Sequence, residues 1–135
     1  MKLKAAVLVL MLGSFSAWLP AGDLPPEVAA KLIKIIATAS GGTVSCRDSG
    51  MKAALEAAGV VVDGNSRVVW ATNPVEIKML KGRLIIVGRK EFLSAGASIA
   101  IVEDAGKPKI YLNQTSVTAS GVAMSDAIYK LGEKQ

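Results

Sequence analysis

The sequence of 135 residues contains no histidine and a single cysteine, and aromatic residues make up only 4% of it. Histidine is the usual base of Ser-His-Asp and Cys-His enzymes and the commonest metal ligand, so its absence argues against both kinds of site. There is also no Gly-x-Ser-x-Gly sequence to place a nucleophilic serine on a sharp turn. We therefore expect a protein that is not an enzyme and that needs no cofactor or metal.

The charge of the chain gives little reason to expect nucleic acid as a partner. The formal net charge is +5, but lysine and arginine are spread along the chain, with no run longer than Arg89-Lys90. The few aromatic residues could not build a surface on which bases stack. We interpret the basic residues as a solvated surface and predict no nucleic-acid binding.

The one cysteine, Cys46, has no second cysteine with which to form an internal disulfide. In an exported protein such a residue is a buried thiol, half of an intermolecular disulfide or a reactive group. Its neighbours Val44 and Ser45 suggest the end of a strand. The sequence leaves these three alternatives open.

The first 21 residues have the layout of a secretory signal peptide. Lys2 and Lys4 precede an apolar run that extends to Trp18, and the small residue Ala21 stands before a polar pair. The run is interrupted by serine and is shorter than the roughly 20 apolar residues that span a bilayer. We expect cleavage near Ala21, a periplasmic location, and a single domain over residues 22–135.

Hydrophobic periodicity predicts alternating helices and strands along the rest of the chain. An apolar stripe after Pro25-Pro26 predicts a first helix that ends before Gly41-Gly42. The further predictions are strands at 43–46, 60–62, 68–70 and 84–87 and helices at 49–58 and 73–80. A strand, a helix and a strand in succession favour a parallel pair with a right-handed crossover. The run at 84–87 is apolar throughout, as in a strand that is covered on both faces.

The stretch 99–132 predicts a hairpin followed by helical segments. Two strands flank the turn 104–107, which contains a glycine. Asn113 ends the second strand and is a candidate cap for the next turn, and Ser125 is a second candidate cap before a final helix that ends near Leu131. The whole chain predicts an α/β fold with a small mixed sheet of about five to six strands, flanked by helices. This sheet is parallel in its first half and ends in a C-terminal antiparallel hairpin.

This C-terminal stretch resembles the YfiR-type family of periplasmic proteins (YfiR/HmsC-like). The resemblance rests on Asn113 after the hairpin, the Gly121-Val122 step, Ser125 and Leu131, preceded by Gly96-Ala97 where the family has two glycines. It implies a small secreted α/β domain that restrains a membrane-anchored, periplasm-facing diguanylate cyclase and so acts in cyclic-di-GMP signalling. Typical relatives carry paired cysteines, which this chain lacks.

Two functional classes remain, and each has its own candidate residues. A regulatory protein that catalyses nothing would bind its partner through Val122, Met124 and Ile128, at least one of which must also face the core. A small-ligand-binding module would instead hold its ligand in a groove lined by Trp70 and Tyr111, although both could simply fill the edge of the core. An exposed apolar patch near the last helix favours the first class, and an enclosed pocket around Trp70 favours the second. A homodimer is also left open.

Overall fold

The computed structural model describes residues 24–124 and 126–134, which form alternating helices and strands. The helices are α1 (Pro26–Thr38), α2 (Ser49–Ala57), α3 (Pro74–Met79), α4 (Gln114–Ser120) and α5 (Asp126–Leu131), with a 3-10 helix, η1 (Lys90–Ala95), before the fifth strand. The strands are β1 (Thr43–Cys46), β2 (Val61–Val62), β3 (Val68–Trp70), β4 (Leu84–Val87), β5 (Ile99–Asp104), β6 (Lys107–Leu112) and β7 (Glu133–Lys134). Within these residues no helix is long and apolar enough to cross a membrane. The predicted leader, residues 1–21, and the candidate cap Ser125 lie outside the described residues.

The strands form one sheet in the order β2-β1-β3-β4-β5-β6-β7. β1 to β5 are all parallel to one another, β5 and β6 pair antiparallel, and β7 lies parallel to β6. The first half of the sheet is therefore parallel and the hairpin is antiparallel, which confirms the predicted fold class. The sheet has seven strands in the described part of the chain, and the two edge strands, β2 and β7, have only two residues each.

Short local signals set the starts of the first three helices. Pro26 opens α1, where its missing N–H has no intrahelical partner to lose. Asp48 is the N-cap of α2 and accepts a hydrogen bond from Met51 N at 2.8 Å. Asn73 caps α3 in the same way and accepts from Glu76 N at 2.8 Å. Such caps satisfy backbone donors that a helix leaves unpaired at its first turn.

A two-residue turn sets the register of the hairpin. Ala105 and Gly106 both have positive φ angles, 54° and 78°. Positive φ at both central residues is the backbone of a type I′ turn, whose twist matches that of the flanking strands. Asp104 then pairs with Lys107. The turn lies where the sequence predicted it, although the return strand starts at Lys107 rather than at Pro108.

Two apolar cores lie on the two faces of the sheet. Strand β4 shows this division, because Leu84 and Ile86 belong to the first core and Ile85 and Val87 to the second. All four side chains are at most 1% exposed, so the prediction that this strand is covered on both faces is confirmed. Helices α1, α2, α4 and α5 pack on the first core, whereas α3 and η1 pack on the second.

Two short elements differ from the sequence-based predictions. η1 and β7 were not predicted, because six and two residues are too few to show a clear hydrophobic period. The last helix ends at Leu131, where the sequence predicted its end. Gly132 lets the chain pass close under β6, since a Cβ atom there would lie 2.7 Å from Leu112 Cγ.

Candidate functional site

The carboxyl ends of β1 and β3 mark the point at which the chain reverses its direction across the sheet. From β1 the chain crosses through α2 to β2 on one side, and the next strand, β3, lies on the other side of β1. Helices α2 and α3 consequently cover opposite faces of the sheet. In open parallel sheets, ligands bind in the crevice outside the carboxyl ends of the strands at such a switch point. This edge of the sheet is therefore where a site is expected.

A crevice of about 510 Å³ opens at this edge, and we call it the switch-point crevice. Two aromatic side chains line it, Trp70 at the end of β3 and Phe92 of η1. Ala29, Met51 and Ile101 add apolar surface from α1, α2 and β5. The volume lies in the range of about 300–1,000 Å³ that is typical of small-molecule sites, which are mostly apolar with a few polar groups.

Asp48 and Arg89 bring opposite charges to the lining of the switch-point crevice. Asp48 follows β1, and the hydrogen bond that caps α2 uses its Oδ2. No hydrogen bond from another described residue reaches its Oδ1. Arg89 follows β4 and precedes η1, and both charged side chains are exposed. Because β1 and β4 are the two neighbours of β3, Asp48 and Arg89 follow the strands on either side of the one that carries Trp70, and these two strands lie about 10 Å apart.

The indole of Trp70 is half-buried, and its Nε1 is a buried donor that has no acceptor among the described residues. Leaving a buried N–H group unpaired costs about 1–3 kcal/mol. Most buried polar groups in native proteins are paired, so an exception calls for an explanation, and a functional role is one. Trp70 lines the switch-point crevice and also a smaller pocket of about 190 Å³, so the residue that carries the unpaired N–H borders both.

A shallower groove of about 290 Å³ lies beside the switch-point crevice and shares Asp48 and Thr72 with it. Three polar residues of this groove serve the start of α3. Thr72 N and Oγ1 donate to Glu76 Oε1 at 2.9 and 3.3 Å, while Glu76 N donates to Asn73 Oδ1. These three residues are paired with one another, whereas the groove is also lined by the charged residues Arg47 and Asp48.

Tyr111 lies on the other face of the sheet from Trp70, so the predicted groove lined by both residues is wrong. Trp70 packs on the first core and Tyr111 belongs to the second. The register explains the difference, because Trp70 aligns through Ile86 and Ile99 with Leu112, and side chains alternate faces along a strand. Tyr111, one residue before Leu112, therefore faces the opposite way.

Tyr111 instead lines a second cavity of about 590 Å³ beside η1, together with Leu93 and Val102. Lys90 Nζ and Lys109 Nζ lie 4.4 and 5.6 Å from the centre of the tyrosine ring, within the range of cation–π contacts. The hydrogen bond and charge of Glu133 hold the pKa of Lys109 above its ordinary value, against a smaller opposing effect of desolvation. The lysines thus cover the ring, and Tyr111 is only 7% exposed.

Asn113 and two serines tie α4 to the centre of the sheet. Asn113 is the N-cap of α4, since its Oδ1 accepts from Ser116 N at 3.2 Å, and its Nδ2 donates to Leu93 O at 3.2 Å. Ser98 Oγ accepts from Ile85 N at 3.1 Å and lies 2.9 Å from Ser116 Oγ. Both polar atoms of the Asn113 side chain are thus used within the fold.

The three apolar candidates for partner contact differ in burial. Ile128 is 1% exposed and belongs to the first core, so it is the member that faces inward and it cannot contact a partner on this surface. Val122 and Met124 are half-buried and pack against the same core. Leu131 of the same segment is 66% exposed. Among the large aliphatic side chains described in this segment, Leu131 is therefore exposed and Val122 and Met124 are partly exposed.

Cys46 is half-buried at the end of β1, and its Sγ donates a hydrogen bond to Asp48 O at 3.4 Å. Burial is the largest of the effects that raise the pKa of this thiol above its ordinary value. The thiolate is the reactive form, and a raised pKa leaves less of it at neutral pH. This environment favours the inert thiol among the three alternatives.

One Ser-x-x-Lys spacing, Ser49 to Lys52, occurs in the first turn of α2. This spacing holds the nucleophile and a lysine in one group of serine enzymes. Both side chains are exposed here, and in the described part of the chain no hydrogen bond joins them. Residues 24–124 and 126–134 also contain no group of three His, Cys, Asp or Glu side chains that could hold a metal ion.

Sequence reasoning named Trp70 as a groove residue but missed Asp48, Arg89, Phe92 and Met51, which line the same crevice. A usable signal existed for the two charged residues, because each follows a predicted parallel strand by one or two positions. Carboxyl ends of parallel strands meet at one edge of a sheet. Phe92 gave no such signal, since it lies on the 3-10 helix that the sequence did not predict.

Neither a family model nor a curated protein matches this sequence. Solved structures that are similar in fold include the following two. A conserved domain protein from Vibrio cholerae O1 biovar eltor aligns with a TM-score of 0.60 and 13% identity over 83% of this chain and 60% of that protein. The ABC domain from Streptococcus pneumonia, in complex with L-Trp, aligns with a TM-score of 0.59 and 12% identity. The alignment covers 82% of this chain and 61% of that protein. This chain thus spans about three fifths of the length of either structure, and identities this low concern the fold alone.

Proposed function

We propose that this protein is a non-catalytic binding module that holds a small, largely apolar ligand in the switch-point crevice. The observation that carries the proposal is the position of the crevice, about 510 Å³ in volume, outside the carboxyl ends of β1 and β3. Sheets of this topology bind ligands at that edge. The aromatic wall of Trp70 and Phe92 supplies the apolar area that such a ligand would bury.

Two further observations support this proposal. The ABC domain from Streptococcus pneumonia, which has the same fold, is in complex with L-Trp, a ligand of suitable size and character for the crevice. The sequence contains no histidine, and Ser49 and Lys52 are exposed and not joined by a hydrogen bond, which supports binding without catalysis. The role of the crevice is then recognition.

The proposal is tested by isothermal titration calorimetry of the purified protein with three probes: L-phenylalanine, 3-phenylpropionate and 2-phenylethylamine. We expect at least one probe to bind, and Phe92→Ala to weaken that binding about tenfold because it removes an apolar wall. Leu80→Ala is the matched control, since Leu80 is also half-buried on the second core but does not line the switch-point crevice. Equal binding by both variants would exclude the crevice as the site.

A second candidate function follows from the resemblance to the YfiR-type family, namely restraint of a membrane-anchored diguanylate cyclase in the periplasm. The exposed side chain of Leu131, in the same C-terminal segment as half-buried Val122 and Met124, favours it because a partner could cover these apolar atoms. A restrainer must bind one state of its partner more tightly than the other, since equal affinity shifts no population.

The second candidate is tested in cells by deletion of the gene with intracellular cyclic-di-GMP as the readout. Deletion of the gene should raise the cyclic-di-GMP level, and the wild-type gene should return it to its original value. The Val122→Glu variant should lower the level only in part, although the purified variant still unfolds cooperatively. The proposal includes export, so the mature protein should begin near Gly22 by mass spectrometry. A nucleotide level that does not change on deletion would remove this candidate and leave the ligand-binding proposal standing.

A further inference from the structure

We infer that a second site on this protein binds a small divalent oxyanion of the phosphate type. The site is the pocket of about 190 Å³ that Trp70 borders, and we call it the basic pocket. The inference is carried by two guanidinium groups that line this one small space, those of Arg47 and Arg83. It goes beyond the proposed function, because it concerns a different site and a different ligand.

The basic pocket lies between α3 and the strands β1 and β3. Ser45 of β1 and Val69 of β3 are register partners, and both line it. They lie on the second face of the sheet, because their neighbours Val44 and Val68 belong to the first core and side chains alternate along a strand. Glu76 borders the pocket from α3. The volume is that of about six water molecules at about 30 Å³ each, so an occupant must be small.

Arg83 is held in place with most of its donors unused. Its side chain is half-buried, and Nη1 donates to Gly64 O at 3.2 Å and to Ser66 O at 3.4 Å. Nε and Nη2 have no acceptor within the described residues. A guanidinium group that is fixed through one nitrogen still presents the other two as a fork, which matches two oxygens of a phosphate-type anion.

Arg47 and Ser45 supply further donors from the end of β1. Arg47 directly follows this strand, and both residues line the basic pocket. Within residues 24–124 and 126–134, neither the guanidinium group of Arg47 nor Ser45 Oγ has a hydrogen-bond or ion-pair partner. The pocket therefore offers an oxyanion unpaired donors from two sides, from β1 and from Arg83.

The charge of the lining favours an anion. Glu76 brings a negative charge to the pocket, and its Oε1 is engaged at the start of α3, where it accepts from Thr72 N and Oγ1 at 2.9 and 3.3 Å. Two guanidinium groups against one carboxylate leave an excess of positive charge, which repels cations. A divalent oxyanion pairs with both arginines, whereas a singly charged acid leaves one of them unpaired.

Isothermal titration calorimetry tests the inference with inorganic phosphate at constant ionic strength and mildly alkaline pH, where the divalent form prevails. Phosphate should bind wild type, and acetate should bind at least about tenfold more weakly. Arg47→Gln should weaken phosphate binding about tenfold. Lys78→Gln is the matched control, since it removes an exposed positive charge of α3 that does not line the pocket.

Arg83→Gln should also weaken phosphate binding about tenfold. Its matched control is Arg67→Gln, because Arg67 likewise donates to two carbonyl oxygens, Gly82 O and Ser120 O, but does not line the pocket. Thermal unfolding of each variant establishes that the fold is intact before titration. If Arg83→Gln does not fold, Arg47→Gln alone decides the test.

Phe92→Ala should bind phosphate as wild type does, since Phe92 lines the switch-point crevice and not the basic pocket. The two sites therefore stand or fall separately. No phosphate binding by wild type, or equal phosphate affinity in wild type, Arg47→Gln and Lys78→Gln, would overturn the inference and leave the proposed function untouched. Acetate that binds as tightly as phosphate would overturn it as well.

Discussion

The two halves of the molecule use their polar side chains differently. In the C-terminal half, Asn113 bonds through both of its polar atoms, and Ser98 contacts both Ile85 N and Ser116 Oγ. At the switch point, Trp70 Nε1 has no acceptor within the described residues, and Asp48 uses one carboxylate oxygen for its cap. Residues at the switch point thus keep hydrogen-bonding groups that no described residue pairs, whereas Asn113 and Ser98 of the C-terminal half use theirs within the fold.

This difference teaches which polar residues to associate with function. A buried polar group that is fully paired contributes to stability and uniqueness of the fold, and its loss leaves partners unsatisfied. A group that is unpaired beside a cavity contributes nothing comparable to folding. We therefore expect substitutions in the C-terminal half to act on stability and substitutions at the switch point to act on ligand affinity.

The largest expected effect tests whether α5 belongs to the fold rather than to a partner interface. Ile128→Ala should lower the free energy of unfolding by about 2–5 kcal/mol, because it opens a cavity in the first core. Leu131→Ala is the control on the same helix, and its exposed side chain should change stability by less than about 0.5 kcal/mol. Urea unfolding of both variants measures the contrast, and similar losses in the two would show that α5 is not docked as described.

An intermediate effect is expected at the cap of α4. Asn113→Ala removes the acceptor for Ser116 N and the donor to Leu93 O, so it should destabilise the fold by about 0.5–2 kcal/mol. L-phenylalanine affinity, measured on the folded protein, should stay the same. Lost binding with unchanged stability would reverse the comparison and make Asn113 a recognition residue.

The smallest effect concerns the pH dependence of stability at Cys46. Burial raises the pKa of the folded thiol, so the folded state keeps its proton to higher pH than the unfolded state does. The stability from this group is present below the pKa of the unfolded thiol, about 8.5, and is lost as pH rises through the raised pKa. Wild type should therefore lose stability relative to Cys46→Ala over that alkaline window in urea unfolding. A difference between the two proteins that does not vary with pH would contradict this expectation.

The sequence predicted the order of the main elements because their signals are local. The Pro25-Pro26 pair before α1, the glycine-containing turn and the four apolar residues of β4 each act within a few positions. The relative placement of Trp70 and Tyr111 could not be predicted in this way. It depends on the register across four strands, and a shift of one residue in any pairing would move one of them to the other face.

The residues that line the switch-point crevice could be predicted only in part from the sequence, for a similar reason. Its charged residues stand about 40 positions apart in the chain and meet only because β1 and β4 flank β3. Burial also depends on packing, which is why Ile128 could be proposed as both a contact and a core residue from its helical spacing alone. The structure places it in the core.

The 3-10 helix η1 stands between the two larger cavities as a common wall. Phe92 lines the switch-point crevice, while Leu93, the next residue, lines the second cavity beside Tyr111. Two hydrogen bonds hold η1 and its C-cap residue against the start of α4, because Leu93 O accepts from Asn113 Nδ2 and Gly96 O accepts from Ser116 Oγ. Phe92 and Leu93 are consecutive residues of one short helix, so the same six residues contribute both to the lining of the switch-point crevice and to the seat of α4 on the sheet.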